Sequence, residues 1–335
     1  MRTKLILLNI AIPFILSSQT KTGYYINWNV DHTERSVKPS VNISQKDSKI
    51  INSYFVEFDE KDRFTEVKYY YSGSPSIHSS YGAFHMKRVY TENHFDDTFY
   101  NDNNERVANN EGAFTIRYHL NEDGFWYKKE VLDSNSDLVD IKGVHSLPAC
   151  ISLISRDSLN RIHTEVRINT QNDTVPDING FKMVHFGFNK DGYIKYRKQL
   201  DEQGRLINGS LGYAQVNFQC NENGVFYDEE FLDVDGRLTI HPRILAAKLN
   251  FRNFDKYGKY RYIHYIDEDG YPHEDRSYVE VEYHENTSIK RGVFYDRKGL
   301  KTEDPRGIAE FIFRYSEDGK LLERVNFNLS GAAIK

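Results

Sequence analysis

The chain has 335 residues, a formal net charge of −5 and two cysteines. Hydrophobic residues make up 39% and charged residues 28%, a balance that predicts a folded chain rather than a disordered one. No Lys/Arg stripe accompanies the net negative charge, which argues against nucleic-acid binding because duplex binders neutralise phosphates with clustered basic side chains. Cys150 and Cys220 are too few for a disulfide framework, so stability has to come from an extended apolar core.

The first 20 residues have the layout of a secretory signal peptide. Arg2 and Lys4 supply a charged start, an apolar run extends from Leu5 to Leu16, and a polar exit follows. That run is too short to cross a bilayer as a helix, which needs about 20 residues. We therefore expect a signal peptide at 1–20, a secreted, periplasmic or cell-surface protein, and no membrane span after signal removal. A buried N-terminal strand or helix is the alternative.

Residues 21–49 are polar and lack the pattern that follows, so a lead-in strand or cap is expected there. From about residue 50 onwards, a four-residue turn that ends in Gly recurs, as in Asn121–Gly124, Asn189–Gly192, Asn221–Gly224, Asp255–Gly258 and Ser316–Gly319. Asn and Asp side chains bond to the backbone ahead of them, and Gly accepts the positive φ of a tight hairpin. With degenerate copies included, the turns predict nine repeats over 50–335, with a period of roughly 32 residues.

Apolar and polar residues alternate in front of these turns. One copy has apolar side chains at Ala214, Val216, Phe218 and Cys220. A period of two indicates a strand with one buried face. The sequence therefore predicts an all-β protein in which about nine tandem β-hairpins form an extended, curved antiparallel meander or β-solenoid-like array. Before Gly258 the pattern is one residue out of phase, which predicts a β-bulge.

The copy from Gly212 to Gly236 carries the pattern most fully, with Ala214 after the first Gly, the Asn221–Gly224 turn and Leu232 before the next turn. It resembles the degenerate tandem hairpin repeats of bacterial surface and periplasmic proteins. It is similar to the MORN-variant and tyrosine-aspartate (YD) repeat groups, and more loosely to WG repeats. The resemblance covers most of the chain after residue 50 and implies stacked hairpins with roles in scaffolding, adhesion, envelope or toxin-delivery contexts. The repeat is longer than the MORN unit, and Phe or Cys mostly replaces the Tyr-Asp dipeptide.

Surplus aromatic residues are the candidates for a binding surface. Several strands carry rings on both faces, whereas a one-sided sheet buries only one face. Rings on the other face stack on sugars or form protein-binding patches. The alternative is that Tyr is a good strand former that pairs across strands. The candidate ligand-binding residues are Trp126, Tyr127, Tyr193, Tyr196, Tyr260 and Tyr262.

Motifs for metals, cofactors and catalysis are missing from the sequence. The acidic turn Asp233–Gly236 lacks EF-hand spacing, and no HExxH motif, phosphate loop or dinucleotide fingerprint occurs. Asn208–Gly212 is one residue short of a G-x-S-x-G elbow and lies in a β-repeat. We therefore expect no metal, no cofactor and no enzyme, but a repeat scaffold that binds another protein through its extended sheet. A carbohydrate- or cell-wall-binding module is the alternative, and an enzyme with a site in a groove of the array is a weaker one.

Overall fold

A computed structural model describes residues 21–30, 37–78, 82–140, 149–176, 181–190, 192–221 and 225–334. The predicted signal peptide at 1–20 lies outside these ranges, as do Gly180 and Gly224 of the predicted turns. Within the described ranges the chain forms 22 strands and one short 3-10 helix, and no helix there is long and apolar enough to span a membrane.

The elements follow one another as a long series of short strands. The first are β1 (Lys21–Val30), β2 (Val37–Ile43), the 3-10 helix (Asp47–Lys49), β3 (Ser53–Phe58), β4 (Phe64–Tyr71), β5 (Ser74–Pro75), β6 (His85–Tyr90) and β7 (His94–Tyr100). The middle strands are β8 (Thr115–Leu120), β9 (Trp126–Leu132), β10 (Ile151–Arg156), β11 (Ile162–Ile168), β12 (Met183–Phe188), β13 (Ile194–Leu200), β14 (Gln215–Cys220) and β15 (Phe226–Leu232). The last are β16 (Lys248–Phe254), β17 (Tyr260–Ile266), β18 (Tyr278–Tyr283), β19 (Ile289–Tyr295), β20 (Glu310–Tyr315), β21 (Leu321–Phe327) and β22 (Ala333–Ile334).

Nine hairpins account for 18 of these 22 strands. Hairpins 1 to 9 are the pairs β3–β4, β6–β7, β8–β9, β10–β11, β12–β13, β14–β15, β16–β17, β18–β19 and β20–β21. Each pairs antiparallel with the next hairpin, β1 and β2 extend the sheet before β3, and β22 ends it. The predicted all-β meander of nine hairpins is confirmed, as an open sheet in which the described parts of β2 and β22 do not pair with each other.

The turns form for the reason the sequence predicts. In one of them, the Asp233 carboxylate accepts the N–H groups of Asp235 and Arg237, both at 2.9 Å, and Gly236 has a φ of 79°. The degenerate copy at Asp157 has the same hydrogen bonds, with Asn160 at a φ of 59° in place of Gly. Asn tolerates the left-handed conformation better than most residues, which explains how this copy keeps the turn without a glycine.

A β-bulge follows the first turn in seven of the hairpins. In hairpin 6, for example, Gln219 pairs with Asp228 but Cys220 pairs with Phe226, so one residue of β15 is extra. Hairpin 7 shows no such shift, so the β-bulge predicted before Gly258 is not found there, although its β16 contains Asn253 at a φ of 55°. Asn253 is therefore the inserted residue that the sequence indicates, and it compensates for the extra residue on the second strand.

The register divides the sheet into two faces. We call one the apolar face, defined by buried residues that include Val56, Val67, Ile116, Val131, Val216, Phe231, Val279 and Phe294. These residues form local clusters within and between neighbouring hairpins. The opposite, polar face carries the residues that alternate with them, among them Glu66, Arg117, Glu230, Glu280 and Glu310.

The sheet curves back until late hairpins contact the start of the chain. We call this contact the seam. Asn52 donates from its side chain to Ser288 Oγ at 2.8 Å, and its backbone N–H donates to the Asn286 carbonyl at 3.1 Å. The rings of Tyr71 and Tyr315 lie 6.4 Å apart at the next hairpin. The first turns of hairpins 8 and 9 thus pack on the far end of hairpin 1.

Candidate interaction surface

The polar face of hairpins 6 and 7 holds a row of paired charges. Register places Asp228 opposite Asn250 and Glu230 opposite Lys248. The Lys248 Nζ lies 2.7 Å from Glu230 Oε1 and 3.4 Å from Asp228 Oδ2, and Asn250 donates to Asp228 at 2.7 Å. Burial works against the charged form of Lys248, but hydrogen bonds and charge from Glu230 and Asp228 outweigh it and raise the pKa of Lys248. The Arg252 guanidinium lies 3.1 Å from Asp228 Oδ1, so two cations meet two carboxylates and the row neutralises itself.

Next to this row, four rings meet on the same face. We call Tyr262, His264, Tyr278 and Tyr295 the tyrosine patch. Tyr278 stacks on Tyr295 with ring centroids 5.0 Å apart and an interplanar angle of 18°. The Tyr278 ring also meets Tyr262 edge-on at 5.8 Å and His264 at 5.4 Å. The rings meet because register places Tyr278 opposite His264 on one side and opposite Tyr295 on the other.

Charged groups flank the tyrosine patch. Glu280 lies on the same face of β18, and the Arg261 guanidinium donates to it at 2.7 Å. Burial, with the nearby charge of Glu280, raises the pKa of both Tyr278 and Tyr295. Both phenols therefore stay protonated at neutral pH and keep an O–H donor for a ligand.

Hairpins 8 and 9 continue the polar face as an ion-pair network. The Arg291 Nε lies 2.6 Å from Glu310 Oε1, and the Lys301 Nζ lies 2.7 Å from Glu310 Oε2. Arg291 also reaches Glu282 at 3.2 Å. The hydrogen bond from Arg291, together with Lys301, lowers the pKa of Glu310 to about 2. Glu310 is therefore fully ionised at any physiological pH.

The two candidate binding residues of hairpin 3, Trp126 and Tyr127, differ in their exposure to solvent. Trp126 is half-buried, and its ring meets that of Tyr118 edge-on at 5.3 Å. Its backbone carbonyl accepts a hydrogen bond from Arg156 Nε at 3.0 Å. Tyr127 is 44% exposed, with its ring 6.4 Å from that of His119. Of this pair, only the Tyr127 ring is an open surface ring.

The two predicted residues of hairpin 5 are both half-buried. Tyr193 follows the turn and donates its backbone N–H to Asn189 Oδ1 at 3.0 Å. The Tyr196 ring covers Gly187, its partner on the opposite strand, and meets His185 edge-on at 5.6 Å. Tyr196 therefore fills space on the polar face that a side chain at position 187 would otherwise take.

The two predicted residues of hairpin 7 point to opposite faces. Tyr260 packs with the apolar-face cluster, with its ring 4.9 Å from that of Phe251. Tyr262 belongs to the tyrosine patch. The six predicted residues thus lie on three separate hairpins and form no single platform, and whether any of them binds a ligand stays a prediction.

Sequence reasoning missed Tyr278 and Tyr295. Tyr295 precedes the turn that starts at Asp296, in the repeat position held by Leu232 before Asp233. Tyr278 is the first residue of β18 and lies directly opposite it. An alignment of the repeats, combined with antiparallel pairing of the two strands, could have predicted that Tyr278 and Tyr295 are neighbours, since cross-strand neighbours follow from register.

A histidine–glutamate pair and two free thiols are further titratable groups of the described residues. His85 Nε2 lies 2.5 Å from Glu66 Oε1, and burial lowers the pKa of His85 although Glu66 opposes this. Cys150 and Cys220 are unpaired, and burial raises the pKa of both thiols to about 11. Within the described ranges, no three His, Cys, Asp or Glu side chains are grouped to hold a metal ion.

No protein-family model matches the chain, and no curated protein matches it in sequence. Among solved structures, a crystal structure of TcdB2-TccC3 aligns with 84% of this chain and 14% of its own, at 8% identity and a TM-score of 0.28. A porin-like protein from Bacteroides uniformis aligns over 82% of this chain and 88% of its own, at 8% identity and a TM-score of 0.27. The Tc holotoxin pore from Photorhabdus luminescens aligns over 88% of this chain and 19% of its own, at 9% identity and a TM-score of 0.26.

These likenesses are distant. The chain spans only a small part of TcdB2-TccC3, and the similarity carries no argument about activity, substrate or partner. The resemblance to hairpin-repeat groups is thus accompanied by a distant structural similarity. No sequence family supports it.

Proposed function

We propose that this chain is a non-catalytic repeat scaffold of the cell envelope or exterior that binds another protein through the polar face of its sheet. The observation that carries the proposal is the tyrosine patch, where four rings meet on the face that a one-sided sheet leaves to solvent. Tyr and Arg are enriched at the residues that dominate binding energy in protein interfaces. The signal-peptide layout of 1–20 supports the location.

The neighbouring charges support a protein partner. The patch lies between the self-neutralised row around Lys248 and the network around Glu310. Protein interfaces typically have an apolar, aromatic centre inside a polar rim. A partner surface of mixed charge would therefore fit this face better than a strongly acidic or basic one.

A carbohydrate-binding module is the second candidate. It is favoured by the near-parallel Tyr278–Tyr295 pair and the adjacent Glu280, since sugars stack on flat rings and bond to carboxylates. Glu280 is already engaged by Arg261, which leaves fewer free polar groups for sugar hydroxyls. We therefore rank this candidate second.

The test compares two variants of the purified chain. Tyr278→Ser/Tyr295→Ser removes the stacked pair, and Tyr271→Ser is the matched control, because Tyr271 is 64% exposed in the second turn of hairpin 7. Proteins captured from an envelope extract are identified and purified, and their affinity for each variant is measured. The wild-type chain and both variants are also applied to a glycan array and to peptidoglycan.

An affinity for one purified protein that falls at least tenfold in the double variant, and not in the control, supports the proposal. Saturable glycan binding lost in the same variant transfers the function to the carbohydrate module. Equal affinity of all three chains for every captured protein and glycan contradicts a role for the tyrosine patch.

A further inference from the structure

The polar face of hairpins 4 and 5 differs from the rest of this face in its charges. Elsewhere on the face, lysines pair with a nearby glutamate, as in Lys68–Glu66, Lys128–Glu130 and Lys248–Glu230. From β10 to β14 the register places no Asp or Glu of these strands on the polar face. Their one acidic residue, Glu165, alternates with Thr164 and therefore points to the apolar face.

Hydrogen-bond donors cross this stretch in one line. Thr164 lies opposite His185, His185 opposite Lys198, and Lys198 opposite Gln215. We call these four residues the donor row. The row runs across four neighbouring strands, so it spans three strand spacings, or about 14 Å. Hydroxyl, imidazole, ammonium and amide groups all carry a hydrogen that they donate.

A β-bulge adds a second imidazole to the donor row. Thr164 and Ile162 both have a partner on β10, which leaves His163 between them as the extra residue of β11. His163 is exposed, and its ring centroid lies 4.3 Å from that of His185 at an interplanar angle of 66°. Bulges re-aim side chains, and this one places His163 beside the donor row.

The chain does not compensate the positive charge at this place. The Lys198 Nζ lies 5.0 Å from the centroid of the Tyr196 ring, and no carboxylate among the described residues pairs with it. Burial, with the charges of His163 and Lys198, lowers the pKa of His185. Like charges held close together disfavour one another, and a bound anion would remove that cost.

We propose that the donor row, together with His163, binds the phosphate or sulfate group of an anionic ligand. The Lys198 ammonium supplies a positive charge, and the two imidazoles donate to the oxygens of the anion. The Ser155 hydroxyl shares a hydrogen bond with that of Thr164, and when Ser155 is the donor the Thr164 O–H is free for the anion. The site lies on other hairpins than the tyrosine patch and is independent of it.

The shape and charge of the site restrict the ligand further. The donor row lies on an open sheet face, and His163 is exposed, so the anionic group of a larger molecule fits it. A metal cation fits less well, because Lys198 lies directly opposite His185 and repels it.

The test is calorimetric titration of the full chain, at low salt, with a sulfated heparin octasaccharide and with tripolyphosphate. The two probes distinguish a sulfated ligand from a phosphorylated one. The variants are Lys198→Gln, the double variant His163→Gln/His185→Gln and the control Lys298→Gln. Lys298 is the matched control because it lies exposed in the second turn of hairpin 8 and carries the same charge. Gln keeps a polar side chain at each position, so all variants should fold, which thermal unfolding checks.

The proposal expects saturable binding of at least one probe, weakened about tenfold or more in Lys198→Gln and unchanged in Lys298→Gln. An anion favours the charged form of an imidazole, so affinity for the octasaccharide, whose sulfates stay ionised, should rise from about pH 7.5 to about pH 5.5. The double histidine variant should lose this rise. Failure of both probes to bind the wild-type chain would overturn the proposal, as would equal affinity of wild type and Lys198→Gln.

Discussion

The side-chain amide of Asn52 donates to Ser288 Oγ at 2.8 Å, although the two residues are 236 positions apart in the chain. Asn52 also accepts the Ser72 N–H at 3.2 Å, so one side chain holds the end of hairpin 1 and the first turn of hairpin 8 together. Every strand pair of the sheet joins near neighbours, whereas the seam joins the early and late parts of the chain.

Loss of the Asn52 side chain should weaken the seam. We expect Asn52→Ala to lower the free energy of unfolding by about 1–2 kcal/mol, because both of its side-chain hydrogen bonds disappear. Urea unfolding followed by tyrosine fluorescence measures this. Asn103→Ala, in an exposed turn of hairpin 2, is the control and should change stability by no more than about 0.5 kcal/mol. Equal effects of the two substitutions would show that the seam does not stabilise the sheet.

Glu310 should make stability depend on pH in the acidic range. Its folded-state pKa, about 2, lies below the ordinary value of 4.5, so the unfolded chain takes up the proton first as pH falls. Its contribution, on the order of 2 kcal/mol, is therefore complete above pH 4.5 and is lost as pH falls towards 2. The stability difference between wild type and Glu310→Gln should shrink over that window. The exposed control Glu317→Gln should show no such change, and a difference that persists at pH 2 would argue against the network.

The buried Arg88–Asp97 pair should be sensitive to removal of either partner. The Arg88 guanidinium lies 4.0 Å from the ring centroids of both Phe64 and Phe95. We expect Asp97→Leu to destabilise the fold by about 3–5 kcal/mol, because it leaves the buried charge of Arg88 uncompensated. The double variant Arg88→Met/Asp97→Leu should recover much of this loss. A thermal-unfolding double-mutant cycle tests both statements, and purely additive losses would contradict them.

Tyr196 should act first as a packing residue. A Cβ at position 187 would overlap the Tyr196 ring, so Gly187→Ala should cost about 1–3 kcal/mol of stability. Adding Tyr196→Ala should relieve the overlap, so that the double variant is destabilised less than the sum of the two single variants. Chemical denaturation of all four chains gives the coupling energy. A coupling energy of zero would mean that the ring does not cover the glycine.

The fold could be predicted because its signals are local. Asn and Asp turn residues and period-two alternation act over a few residues, and even Asn160 in place of glycine preserves the turn geometry. The inserted residue of hairpin 7 was also visible, although only the structure identifies it as Asn253. The seam was not predictable, because it depends on the curvature accumulated over several hairpins.

The candidate surface could be predicted only in part. Tyr262 was identified from the sequence of its own strand, in which aromatic residues fall on both faces. Tyr278 and Tyr295 were missed because their proximity depends on the pairing of β18 with β19, which the single-strand pattern does not contain.

Oxidative footprinting of the full chain, alone and with its purified partner, tests the proposed binding surface most directly. Binding through the polar face predicts that Tyr262, Tyr278 and Tyr295 become protected together, while Tyr127 and the exposed Tyr271 react as before. Protection confined to residues outside the tyrosine patch, with Tyr278 and Tyr295 unchanged, would contradict the assignment of this face as the binding surface.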